Sequence, residues 1–235
     1  MMTANAVLKK LQEIADPEVA ASAAHFGIDT PNIYGVTAPQ LRALGKDIGK
    51  NHQLALELWK SGVLEARILC SLIADPRLLT EVQMERWVSD FDSWAVCDAC
   101  CANLFDKTPV AWAKAAEWTN RTAEYGKRAG FSMMAVLAVH DKIAPDKRFI
   151  EFLPMIRRES GDDRNFVKKS VNWALRQIGK RNLALNIRAL KTAREIRDIG
   201  TPSGRWIASD AIRELSSDAV QHRLAEVQRP ALKSL

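Results

Sequence analysis

Ala66-Arg67-Ile68-Leu69-Cys70-Ser71-Leu72-Ile73-Ala74-Asp75 is an apolar stretch with helical spacing that runs into a polar stop. The same pattern returns over residues 97–106, 129–141, 167–180 and 207–216, and the stops fall 31 to 39 residues apart. A helix that is apolar on most sides must be covered by neighbours. Each period has room for a second helix, so the unit is a helix pair that buries its apolar surface by stacking on the next pair.

Reading outward from these segments, apolar residues recur at three and four spacing almost throughout, and alternating β-branched runs with Asn-Gly or Asp-Gly turns are missing. Helix-start signals repeat as Thr37-Ala38-Pro39-Gln40, Lys107-Thr108-Pro109 and Thr201-Pro202-Ser203. The pattern predicts helices over about 3–14, 17–26, 38–49, 52–60, 64–74, 80–90, 94–105, 109–118, 122–140, 147–158, 163–179, 183–198, 203–214 and 217–226. The expected fold is all-α, an α-α superhelix (solenoid) of HEAT-like or armadillo-like helical repeats that fills 1–235 as a single domain. Its inner helices are expected to line a concave basic face, and an irregular helical bundle is the alternative.

At 235 residues and 47% hydrophobic content the chain can bury a substantial core without staples. It has no apolar run of about 18 residues and no apolar signal segment at its start, so a cytoplasmic protein with no membrane contact is expected. Cys97, Cys100 and Cys101 form a CxxC pair without the second cysteine pair or nearby histidine that a zinc site needs. They read as small core side chains. His25, His52, His140 and His222 are scattered, and neither a metal nor a cofactor is expected.

Charge is uneven along the chain. Residues 1–120 hold 11 Lys/Arg against 15 Asp/Glu, whereas 121–235 hold 23 against 13. Within 164–197 ten basic residues stand against the single acid Glu195, a run that reads as a phosphate-binding track. Trp173 lies inside it. In Phe91-Asp92-Ser93-Trp94-Ala95-Val96-Cys97-Asp98 the indole of Trp94 and the carboxylate of Asp98 are four residues apart, on one face of a helix that Ser93 or Asp92 caps. Arg128 follows on the next inner helix, within Tyr125-Gly126-Lys127-Arg128. Each taken alone is an ordinary structural residue: a packed tryptophan, a capping acid, a solvated arginine.

As a set, these residues are more specific. Ile33-Tyr34-Gly35-Val36-Thr37-Ala38-Pro39, Trp94-x-x-x-Asp98, the helix of Arg128 and Phe166-Val167-x-Lys169-x-x-x-Trp173-x-Leu175-Arg176 resemble the AlkD-like DNA alkylation repair glycosylases, HEAT-like proteins that excise cationic N3- and N7-alkylated purines. The resemblance implies that Asp98, Trp94 and Trp173 form the catalytic cleft, that Arg128 is a cleft arginine, and that Tyr34 and Arg176 support or contact DNA. Lys168 and Lys169 join the DNA-binding set through the basic track. The partner implied is double-stranded DNA carrying alkylated purines, bound by a monomer with no obligate protein partner and with the lesion handled while still stacked. The chain departs from the family pattern at Ala95, where an acidic residue often follows the first tryptophan, and in the neighbouring cysteines. Two other readings stand beside excision: a non-enzymatic DNA-structure binder, and a protein-interaction scaffold.

Overall fold

A computed structural model describes residues 2–232, with side chains through residue 226. The chain packs as two compact units, Met1–Val110 and Ala111–Leu235. The first holds α1 (Ala4–Glu13), α2 (Pro17–Ser22), α3 (Ala38–Ile48), α4 (His52–Trp59), α5 (Leu64–Ile73), α6 (Glu81–Ser89) and α7 (Trp94–Asn103). The second holds α8 (Ala111–Glu117), α9 (Glu124–His140), α10 (Asp146–Arg158), α11 (Asn165–Gly179), α12 (Leu183–Ile199), α13 (Pro202–Leu215) and α14 (Asp218–Leu232). Short 3₁₀ turns occupy Ala23–Phe26, Phe105–Lys107, Trp118–Asn120 and Glu159–Gly161, and there is no strand among the described residues. Nor, among them, is any helix long and apolar enough to cross a membrane.

The helices begin where side chains satisfy the orphan backbone donors of a first turn. Asp16 accepts from Glu18 N at 2.9 Å with Pro17 as the next residue, Thr80 and Gln83 close a capping box, and Asn182 accepts from Leu185 N at 2.9 Å. Thr201 accepts from Gly204 N at 3.0 Å, as its Thr-Pro-Ser signal predicts. The Thr108-Pro109 signal acts two residues later than expected: Thr108 donates its hydroxyl to the Phe105 carbonyl at 2.8 Å, finishing the preceding 3₁₀ turn, and α8 starts at Ala111.

In the first unit α3 and α4 pack on α5, and α7 lies beside α5. Trp59 and Trp87 stack in parallel with centroids 4.0 Å apart, and Phe91 and Phe105 close the cluster. Cys70 of α5 and Cys97, Cys100 and Cys101 of α7 are buried and form no disulfide. Burial pushes the thiols of Cys70, Cys100 and Cys101 up, so these sulfurs stay protonated and serve as packing atoms.

In the second unit α11 runs between α9 and α13, with α12 behind both α11 and α13. α9 is almost wholly interior: Gly126 and everything from Arg128 to Ala138 is buried. Gly130 is what lets it approach, since a Cβ there would lie 2.7 Å from the Thr119 backbone nitrogen. Neighbouring inner helices keep a nearly constant offset. Between α9 and α11, Glu124 accepts from the Phe166 N–H and the Ala138 carbonyl accepts from Arg181, 42 and 43 residues further on; between α11 and α13, Asn172 meets Asp210 and Arg176 meets Glu214, each 38 residues further on. An offset that holds along a pair means that its two helices run parallel, as successive copies of one repeat must.

Candidate nucleic-acid interface

α7 divides into two faces. Val96, Cys97, Cys100 and Cys101 are buried, whereas Trp94, Ala95, Asp98, Ala99 and Ala102 are partly exposed. Ser93 caps the helix by accepting from Val96 N at 3.3 Å. The Trp94 indole is held from outside its own helix: Nε1 donates to the carbonyl of Phe26 at 2.9 Å. Phe26 closes a 3₁₀ turn ended by Gly27 at φ 72° and is itself 68% exposed. An oriented indole and a carboxylate therefore share one face with Ala95, Ala99 and Ala102.

Tyr34 belongs to a tightly built corner of the same unit. The buried carboxylate of Glu65 accepts from the backbone N–H groups of Tyr34 (3.0 Å), Gly35 (2.6 Å) and Val36 (3.2 Å). Three convergent donors make an anion nest that compensates for burying the acid. Gly35 sits at φ 83°, and a Cβ on it would fall 2.0 Å from the Asp16 carbonyl oxygen, so no other residue fits this corner. The Tyr34 hydroxyl accepts from Gln12 Nε2 at 3.2 Å, which braces the ring against α1.

In the second unit Phe166, Lys169, Trp173 and Arg176 form one outward stripe of α11, continued by Lys180 at its C-cap, while Val167, Ser170, Val171, Ala174, Leu175 and Ile178 face the core. Trp173 is partly exposed. Tyr125 of α9 packs its ring 5.7 Å from that of Phe166, and Lys169 Nζ lies 6.0 Å from the Phe166 centroid. Arg128 is only 6% exposed, and its guanidinium donates to the Phe166 carbonyl at 2.7 Å. It thus ties α9 to the first turn of α11.

Along the α11–α13 seam the side chains meet rung by rung. Lys168 Nζ stands 5.1 Å from the Trp206 ring centroid, Asn172 donates to Asp210 at 2.6 Å, Arg176 pairs with Glu214 and lies 3.4 Å from Asp210, and Lys180 reaches Glu214 at 2.5 Å. Burial works to raise the Glu214 pKa, but the Lys180 hydrogen bond and the charges of Arg176 and Lys180 outweigh it and hold the carboxyl below its ordinary value. Arg164 likewise forms a forked pair with Asp162, at 2.9 and 2.5 Å. The basic run of 164–197 is therefore partly neutralised by acids that lie just before it or one repeat later in the chain. Arg181 turns inward, donating to the Ala138 carbonyl at 2.7 Å with its guanidinium 4.0 Å from the Phe149 ring centroid.

A family model for DNA alkylation repair enzymes matches residues 7–215. The chain belongs to that family. An uncharacterised protein of Listeria innocua, Lin0241, is 22% identical to it over 209 residues, a match covering 87% of this chain and 91% of that protein. A solved structure aligns with a TM-score of 0.74 at 21% identity, over 83% of each chain; it represents a new family of proteins related to the HEAT-like repeat DNA glycosylases, with affinity for branched DNA structures. The fold of this alkylation repair family member is thus a HEAT-like helical repeat, as the spacing of its apolar segments predicts.

Within the family chain, Tyr34, Trp94 and Asp98 lie in the first unit and Arg128, Lys168, Lys169, Trp173 and Arg176 in the second. The structure brings Trp94 and Asp98 onto one face, and it brings Arg128, Lys168, Lys169, Trp173 and Arg176 onto two adjacent helices. Sequence reasoning missed Phe26, Glu65 and Trp206. Phe26 and Glu65 act through backbone hydrogen bonds to residues 68 and about 30 positions away, which leave no local pattern. Trp206 lies just past the Thr201-Pro202-Ser203 helix start. Its spacing from Asp210 and Glu214, four and eight residues on, was the available signal that it lies on their face.

Proposed function

We propose that the chain is a DNA glycosylase that excises cationic N3- and N7-alkylated purines from duplex DNA, with residues 1–235 acting as one functional domain. The carrying observation is the face of α7 on which Trp94 and Asp98 are both partly exposed although the opposite face fills the core. Alkylation at N3 or N7 makes the purine a cation with a weakened glycosidic bond, and its departure leaves an oxocarbenium-like sugar. An indole face attracts such a cation by about 0.5 to 2 kcal/mol, depending on desolvation.

The carboxylate of Asp98 opposes the growing positive charge and orients water. At about 4 Å and an effective dielectric near 20 the attraction is about 4 kcal/mol, on the order of a thousandfold in rate. That is enough for a leaving group already activated by its charge. Trp173 supplies a second aromatic surface to the nucleotide, and Lys168 and Lys169 supply phosphate contacts. Arg128 supports the same surface by holding the first turn of α11, where Lys168 and Lys169 begin. Tyr34 braces the corner beside α1 from which the 3₁₀ turn bearing Phe26 is reached.

Asp98→Asn tests the reading because it keeps size and hydrogen-bonding capacity and removes only charge. Release of free N7-methylguanine from duplex DNA is expected to fall by about a hundredfold or more, with binding to undamaged duplex unchanged or slightly tighter. Wild-type release by a folded variant, matched in helicity and melting, overturns the role of Asp98. A second reading, DNA-structure binding without excision, is favoured by Ala95: α7 carries a single acid, Asp98, and the residue beside Trp94 is not another. Retained binding with no base release by the wild-type protein selects it.

A further inference from the structure

Trp206 plays no part in the excision reading, yet it is 41% exposed on a helix whose other side is packed. Every other rung of the α11–α13 seam meets its partner through a carboxylate: Asn172 at Asp210, Arg176 at Asp210 and Glu214, Lys180 at Glu214. At the first rung the same 38-residue step brings Lys168 to the face of an indole instead. A cation over a ring keeps its full charge, whereas one beside a carboxylate is largely cancelled. The pair therefore offers an aromatic surface and a positive charge side by side.

We propose that Lys168 and Trp206 form a binding site for one unpaired nucleotide of DNA, its base stacked on the exposed indole and its phosphate at the Lys168 ammonium. Interleaved aromatics and cations are what single strands bind, because every base has a π-face while only the backbone carries charge. The adjoining rung of α9 and α11 repeats the pattern, with Tyr125 against Phe166 and Lys169 near the Phe166 ring. In intact duplex the base faces are covered by their neighbours, so a duplex engages Lys168 and leaves Trp206 unused. Only a base out of the stack, at an overhang or a branch, gains from the indole. The proposal rests on DNA as the partner but not on excision.

The test uses the full chain and two probes, a blunt duplex and the same duplex with a single-stranded thymidine extension, titrated by fluorescence anisotropy at one salt concentration. Wild type is expected to bind the extended probe more tightly. Trp206→Ala is expected to lose about tenfold on the extended probe, the value of one stacked base, and less than about twofold on the blunt one. Trp206→Phe is expected to keep most of the affinity and Trp206→Leu to lose it, a comparison that holds if the alanine variant does not fold.

Equal loss on both probes, no loss on the extended one, or no preference for the extension in the wild type overturns the site. Base release from blunt alkylated duplex is read in parallel. Normal release with no Trp206 effect removes this inference and leaves the excision reading; a Trp206-dependent preference without release removes excision and leaves this one.

Discussion

The two ends of the α11–α13 seam follow one register and have opposite electrostatic character. At the C-terminal end Arg176 and Lys180 face Asp210 and Glu214, and their charges are spent within the protein. At the N-terminal end Lys168 faces Trp206, and its charge is not offset by its rung partner. Both ends come from the same basic stretch, and a window along the sequence scores them alike. What a phosphate meets is set by the residue 38 positions further on, so a basic run marks a DNA-binding face only after the helix beside it has been read.

Removing the acids should erase the difference between the two ends most completely. Asp210→Asn with Glu214→Gln keeps the hydrogen-bond acceptors and releases Arg176 and Lys180, so affinity for undamaged duplex at low salt is expected to rise by about tenfold. The plot of log affinity against log salt should also steepen, by up to about 0.9 for each new phosphate contact. An unchanged salt slope would mean that this end of the seam lies away from the DNA.

Single substitutions give the next largest effect. Lys168→Ala should flatten the salt slope by about 0.9, one phosphate contact. Arg176→Ala should change it by less than half as much, because its guanidinium is already shared between two carboxylates. Equal slopes for the two variants would erase the distinction between the ends.

The smallest effect is on stability. Glu214 has its pKa held below the ordinary 4.5 by Lys180 and Arg176 despite the opposing pull of burial. A depressed acid stabilises the fold above its unfolded pKa, and the contribution is lost as pH falls through the lower folded value. Glu214→Gln is therefore expected to be less stable than wild type by about 1 kcal/mol at neutral pH, the scale of a partly exposed ion pair. The gap should close as pH drops below about 4.5, measured by denaturant unfolding at a series of pH values.

Much of this protein was legible in its sequence. The order of the helices and most of their boundaries follow from apolar spacing and cap residues, because helix formation and capping are settled within a turn or two of chain. The repeat period of 31 to 39 residues anticipates the offset of 38 that sets α11 and α13 in parallel register. The Trp94-x-x-x-Asp98 spacing alone puts both side chains on one helix face, and that the face is left partly exposed is a property of packing.

Contacts across the repeat were decided only in three dimensions. The Arg128 guanidinium is tied to the Phe166 carbonyl, Arg176 pairs with Glu214, and Trp94 is oriented by a carbonyl 68 residues away. The physical reason is one of range. Periodicity and capping are local and written in consecutive residues, whereas the charge a side chain presents to solvent depends on what the neighbouring helix sets against it, and that partner is fixed by the packing of one repeat on the next.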